Sequence, residues 1–139
     1  MSVLDYVILY AACLLPFIVV DAIWLTFVTA PEFRKNIGEI MLEAPRWSAA
    51  VAFYALFGVG LVFFAAAPGV TQGLSLFEVA LRGAMLGLMA YGTYELTNLS
   101  TLKGWTWHMV ILDAGWGTAL SGAAAVVGVV IATRLGVSV

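Results

Sequence analysis

Charge is what this chain has least of. Six basic and eight acidic side chains make up 10% of its 139 residues, against 63% hydrophobic. A water-facing globule of this size normally carries about a quarter charged residues, so a soluble domain is excluded. The apolar and aromatic content equally excludes a chain that stays disordered in water. A net charge of −2 leaves no basic footprint for nucleic acid. One cysteine, Cys13, permits neither an internal disulfide nor a cysteine-based zinc cluster. No nucleotide loop, metal-ligand motif or serine nucleophile elbow is present, so the sequence implies no cofactor.

What the chain has is apolar length. Its mean hydropathy is +1.05, and a membrane helix needs roughly 20 mostly apolar residues to cross about 30 Å of hydrocarbon. Four segments meet that requirement, at about 6–30, 47–67, 76–101 and 106–133. None shows the period-two alternation of barrel strands. The expected fold is therefore all-α, a single polytopic domain over residues 1–139 with four transmembrane helices in a compact bundle. Asp5 and the absence of Lys or Arg ahead of the first segment argue for a retained helix rather than a cleaved signal. Pro16 should kink that helix, and the first span is expected to end before Pro31. In the charged connection that follows, Ile37, Ile40, Met41 and Leu42 fall on one side of a short amphipathic segment suited to lie along headgroups.

Orientation follows from Lys and Arg beside the spans. Arg34, Lys35, Arg46 and Lys103 flank one side, Arg82 and Arg134 the other. This bias puts the charged loop in the cytoplasm and both termini on the periplasmic side of a bacterial inner membrane. Trp47, Trp105 and Trp107 would form an aromatic belt at the cytoplasmic boundary, with His108 an interfacial neighbour.

The informative residues are acids inside the spans. A charge at a helix centre costs about 2.5–3.5 kcal/mol on insertion scales. Asp21, Glu95 and Asp113 each lie about six to nine residues from the cytoplasmic end of their span, roughly 9–13 Å deep at 1.5 Å per residue. Three carboxyls from three helices thus share one level. Lys103 is the one basic group expected near enough to pair, and one lysine cannot neutralise three acids, so some should hold protons.

Each acid has aromatic or polar company. Asp-x-x-Trp occurs twice, as Asp21/Trp24 and Asp113/Trp116. Tyr91, Tyr94, Glu95 and Asn98 occupy one face of the third helix, and Tyr54 with Trp47 supplies a face on the second. Packing alone accounts for many such polar and aromatic residues in membranes. Gly83-x-x-x-Gly87, Gly117-x-x-x-Ser121 and Ala124-x-x-x-Gly128 allow close helix approach, between the last two spans or across a dimer face.

The run Thr93-Tyr94-Glu95-Leu96-Thr97-Asn98 through Lys103-Gly104-Trp105, followed by Asp113 and Trp116-Gly117, resembles a family of small bacterial membrane proteins known as domain of unknown function 2177. Asp21-Ala22-Ile23-Trp24 and Gly38-Glu39-Ile40-Met41 resemble its N-terminal half. Glu95 stands where the family pattern leads one to expect Asp. The resemblance supports the fold and the candidate residues and implies no reaction.

Three functions remain on the sequence. The first is a proton-coupled transporter or conduit for a small cationic or amphipathic molecule, held by acids and aromatic rings and workable as a homodimer. The second is an intramembrane enzyme using carboxyl acid–base chemistry on a lipid or isoprenoid. The third is an accessory subunit packed against a larger membrane complex. A divalent-metal site on the three acids ranks below these. Membrane lipid is the one partner the composition itself requires.

Overall fold

The structure, a computed structural model, describes residues 1–139 and contains helices and no strands. In chain order these are α1 (Val3–Trp24), a π-helical turn (Leu25–Thr29), α2 (Ala30–Ile37), a 3-10 turn (Gly38–Ile40), α3 (Trp47–Leu61), a second π-helical turn (Val62–Ala66), α4 (Ala67–Thr71), α5 (Leu76–Thr101) and α6 (Trp107–Arg134). They form four rods. The first runs without a break over Val3–Ile40 and the second over Trp47–Thr71, while α5 and α6 are single helices of 26 and 28 residues.

The helix starts are written locally. Ser2 accepts from the Asp5 amide at 3.2 Å and the Asp5 carboxylate accepts from the Ser2 amide at 2.6 Å, a reciprocal capping box. Ser75 and Glu78 repeat it ahead of α5, and Thr106 accepts from the Met109 amide ahead of α6. These bonds satisfy amides that the first helical turn leaves without partners.

Two prolines expected to end spans do not end helices. Pro31 and Pro68 each sit at the start of an α-helical segment directly after a π-helical turn. The Ala30 amide bonds to the Leu25 carbonyl and the Ala67 amide to the Val62 carbonyl, each spanning five residues. A proline ring collides with the carbonyl four residues back and has no N–H to offer it. The wider π turn just ahead relieves that collision, so the rod continues. α1 likewise passes through Pro16. The residues expected on one side of a short amphipathic segment are not on one helix: Ile37 ends α2, Ile40 lies in the 3-10 turn, and Met41 and Leu42 follow it outside any helix.

Three rods, Val3–Ile40, Trp47–Thr71 and Trp107–Arg134, are long and apolar enough to cross a membrane. α5 matches them in length but carries Glu78, Arg82 and Glu95. Large apolar side chains face outward, including Phe27 at 75% and Leu56 at 71% exposure. In water such surface would drive association, whereas lipid chains solvate it.

The bundle interior holds Leu9, Cys13, Phe17, Leu61, Val79 and Ala125 among its fully buried residues. The largest interface joins α5 to α6, followed by α1 against α6. Glycine makes both close. A Cβ on Gly83 would stand 2.6 Å from the Ser121 carbonyl, and one on Gly87 would strike the Gly117 carbonyl. One on Gly128 would strike Cys13 of α1. The small-residue runs are thus consumed in contacts within the chain.

Candidate functional site

The three intramembrane acids are all buried, Asp21 at 2%, Glu95 at 0% and Asp113 at 6% exposure. They come from α1, α5 and α6 respectively. Position on these helices follows from the small-residue interfaces: because α6 packs closely on both α5 and α1, acids on the facing sides are drawn into one region.

Asp21 is fully engaged. The Tyr54 hydroxyl of α3 donates to its Oδ2 at 2.5 Å, and the Trp116 indole N–H of α6 donates to its Oδ1 at 3.0 Å. This carboxylate therefore ties three rods together. The two Asp-x-x-Trp motifs work crosswise. Trp24 stacks flat on Trp116, with ring centres 4.1 Å apart and planes at 4°, while Trp116 reaches across to Asp21 rather than to Asp113 on its own helix. The Trp24 indole N–H is buried and has no partner.

Glu95 and Asp113 form the second half. Their buried carboxyls are neighbours across the α5–α6 interface. Two carboxyls bond only if one supplies a proton, since an ionised carboxylate accepts and never donates. Glu95 Oε2 also accepts from the Trp105 indole N–H at 2.7 Å. Its Oε1 is buried and has no hydrogen-bond partner.

Trp105 corrects the sequence reading. It was expected in an interfacial belt, yet it is 8% exposed and caps a buried cluster with Phe33, Met109 and Val110. Its ring stands edge-on to Phe33 at 5.4 Å and to Tyr94 at 5.7 Å. Trp47 and Trp107, at 70% and 64% exposure, do face outward. Lys103 is exposed and makes no ion pair with any intramembrane acid. Glu32 forms an ion pair with Lys35 at 3.4 Å and has the His108 Nε2 at 3.6 Å.

The α5 face divides. Tyr91 is half-buried, its ring against Gly117 and edge-on to Phe53 and Phe57. Tyr94 is 53% exposed. Neither Tyr94 nor Asn98 hydrogen-bonds to an acid; the acids' side-chain donors are Tyr54, Trp105 and Trp116. None of the three main cavities is lined by Asp21, Glu95 or Asp113. Aromatic side chains stand directly against the acids, Tyr54 and Trp116 on Asp21 and Trp105 on Glu95. No group of three or more His, Cys, Asp and Glu side chains is arranged to hold a metal ion.

Trp105 is the one residue of the cluster that sequence reasoning assigned elsewhere. Its signal was present as a tryptophan directly after Lys103-Gly104, but only the folded connection shows that it turns inward. No curated protein and no solved structure matches the chain. A family model described as a predicted membrane protein, DUF2177, matches residues 6–130, and the chain belongs to that family.

Proposed function

We propose that the protein is a proton-coupled transporter or conduit for a small cationic or amphipathic molecule, operating at Glu95 and Asp113 with Asp21 alongside. In this reading it sits in a bacterial inner membrane with both termini periplasmic. The observation that carries the proposal is the meeting of two buried carboxyls across α5 and α6 with no basic side chain paired to either. Purely structural acids in hydrocarbon normally find a cation or a full set of donors. Here a proton fills the place a cation would take, and exchanging one for the other is the elementary step of coupled transport.

The surroundings support the reading. The faces of Trp24, Trp116 and Tyr91 offer a cation the quadrupole attraction of aromatic rings. Tyr54 and the two donating indoles hold the carboxyls in place, so that protonation changes charge without freeing the side chain. On this account the arrangement described is the occluded, proton-loaded state. Ligand entry then requires the Trp24–Trp116 stack or the Tyr91 ring to move.

The test uses the full chain in proteoliposomes with an imposed proton gradient. Accumulation of tetraphenylphosphonium is followed together with proton flux from an entrapped dye. Wild type should exchange the two. Glu95→Gln and Asp113→Asn, each shown to be folded by circular dichroism and size exclusion, should abolish the exchange. Undiminished flux in both variants overturns the proposal.

A further inference from the structure

A second polar feature lies apart from the acids. Where α2 ends and the α5–α6 connection returns, a hollow of about 620 Å³ opens, with Arg34, Lys35 and Lys103 in its wall and Glu39 as its single acid. Backbone at Gly38 and Gly104 completes it. The shape depends on Gly104. This residue adopts φ +85°, and a Cβ there would stand 2.6 Å from the Asn36 carbonyl. Only glycine meets both requirements, so the connection can seat against the end of α2 and carry Lys103 to Arg34 and Lys35. Trp105, the next residue, anchors that seat on Phe33.

The electrostatics are one-sided. Lys35 is held by Glu32, but Arg34 and Lys103 have no carboxylate within ion-pair range. Apolar side chains stand close by in the chain: Ile40 is 66% and Leu42 55% exposed. Outward-facing Trp47 and Trp107 flank the same end of the bundle, where indole rings favour headgroup depth. Unpaired cations beside exposed apolar residues suit a ligand with an anionic head and hydrocarbon tails.

We infer that this hollow is a headgroup site for an anionic phospholipid, whose phosphate is held by Arg34 and Lys103 and whose acyl chains lie along Ile40 and Leu42. The guanidinium supplies the two-pronged donor that phosphate oxygens accept best, and the ammonium adds a point charge. This site is independent of the proton-coupled reading, and neither stands or falls with the other.

Purified full-length protein in detergent is offered phosphatidylglycerol or phosphatidylcholine of matched chain length, and bound lipid is counted by native mass spectrometry. Wild type should retain phosphatidylglycerol in preference to phosphatidylcholine. Each basic group near a membrane surface contributes about fivefold to binding, so Arg34→Gln with Lys103→Gln should weaken phosphatidylglycerol retention about 25-fold. Arg134→Gln, at the far end of α6, should leave it unchanged. Equal retention of the two lipids by wild type overturns the inference without recourse to any variant. So does unaltered retention in the double variant, or displacement of the lipid by an equal concentration of inorganic phosphate.

Discussion

Tyr54→Phe isolates the bond that fastens α3 to α1. The substitution deletes one oxygen and leaves a ring that still packs on Phe17 and Phe53, at centre distances of 6.1 and 5.3 Å. What is lost is a 2.5 Å bond to a carboxylate only 2% exposed. Bonds to charged groups contribute about 1.5–3 kcal/mol in soluble proteins. Interhelical bonds in membranes average about 0.6 and reach about 1.7 kcal/mol. The two ranges overlap near 1.5 kcal/mol, which is the expected loss. Tyr10→Phe makes the same chemical deletion where the hydroxyl donates to a neutral acceptor, the Ala55 carbonyl at 3.0 Å, and should lose about 0.6 kcal/mol. Reversible unfolding in mixed detergent–SDS micelles measures both. A cycle pairing Tyr54→Phe with Asp21→Ala should return a coupling near 1 kcal/mol. Equal losses in the two Tyr→Phe variants, or zero coupling, refute the view that Asp21 is a buried tie between rods.

Three further substitutions probe α6 and the connection that precedes it. Gly87→Ala drives a methyl into the Gly117 carbonyl and should cost about 1–3 kcal/mol by separating α5 from α6; Gly115→Ala, with nothing within 4 Å, should be neutral or slightly stabilising in the same unfolding assay. Trp105→Phe keeps a ring against Phe33 and Tyr94 but removes the donor to Glu95, and should cost about 1–2 kcal/mol; stability equal to wild type would show that Glu95 does not depend on the indole.

Helical counting alone put Asp21, Glu95 and Asp113 at one depth, because residue number converts to distance along a straight rod. The α5–α6 contact was legible in the spacing of Gly83, Gly87, Gly117 and Ser121, since helices approach closely only where side chains are small. Pro31 and Pro68 misled for a physical reason. Proline reads as a break under α-helical geometry, and whether a π turn absorbs the ring depends on a tertiary setting that no local pattern encodes. Trp105 and Lys103 lie in a connection, where no periodicity fixes direction. Their opposite fates, one indole inward on Glu95 and one ammonium outward, are set by Gly104 seating against Asn36. The crosswise bond from Trp116 to Asp21 was equally hidden, because two identical Asp-x-x-Trp spacings suggest pairing within each helix.

The proposed proton on the Glu95–Asp113 pair is the point on which the functional account turns, and infrared difference spectroscopy of the protein in lipid reads it directly. A deuterium-sensitive band from a protonated carboxyl is predicted in wild type, shifted or lost in both Glu95→Gln and Asp113→Asn, and retained in Asp21→Asn. A wild-type spectrum without such a band, or a band indifferent to the first two substitutions, contradicts the account.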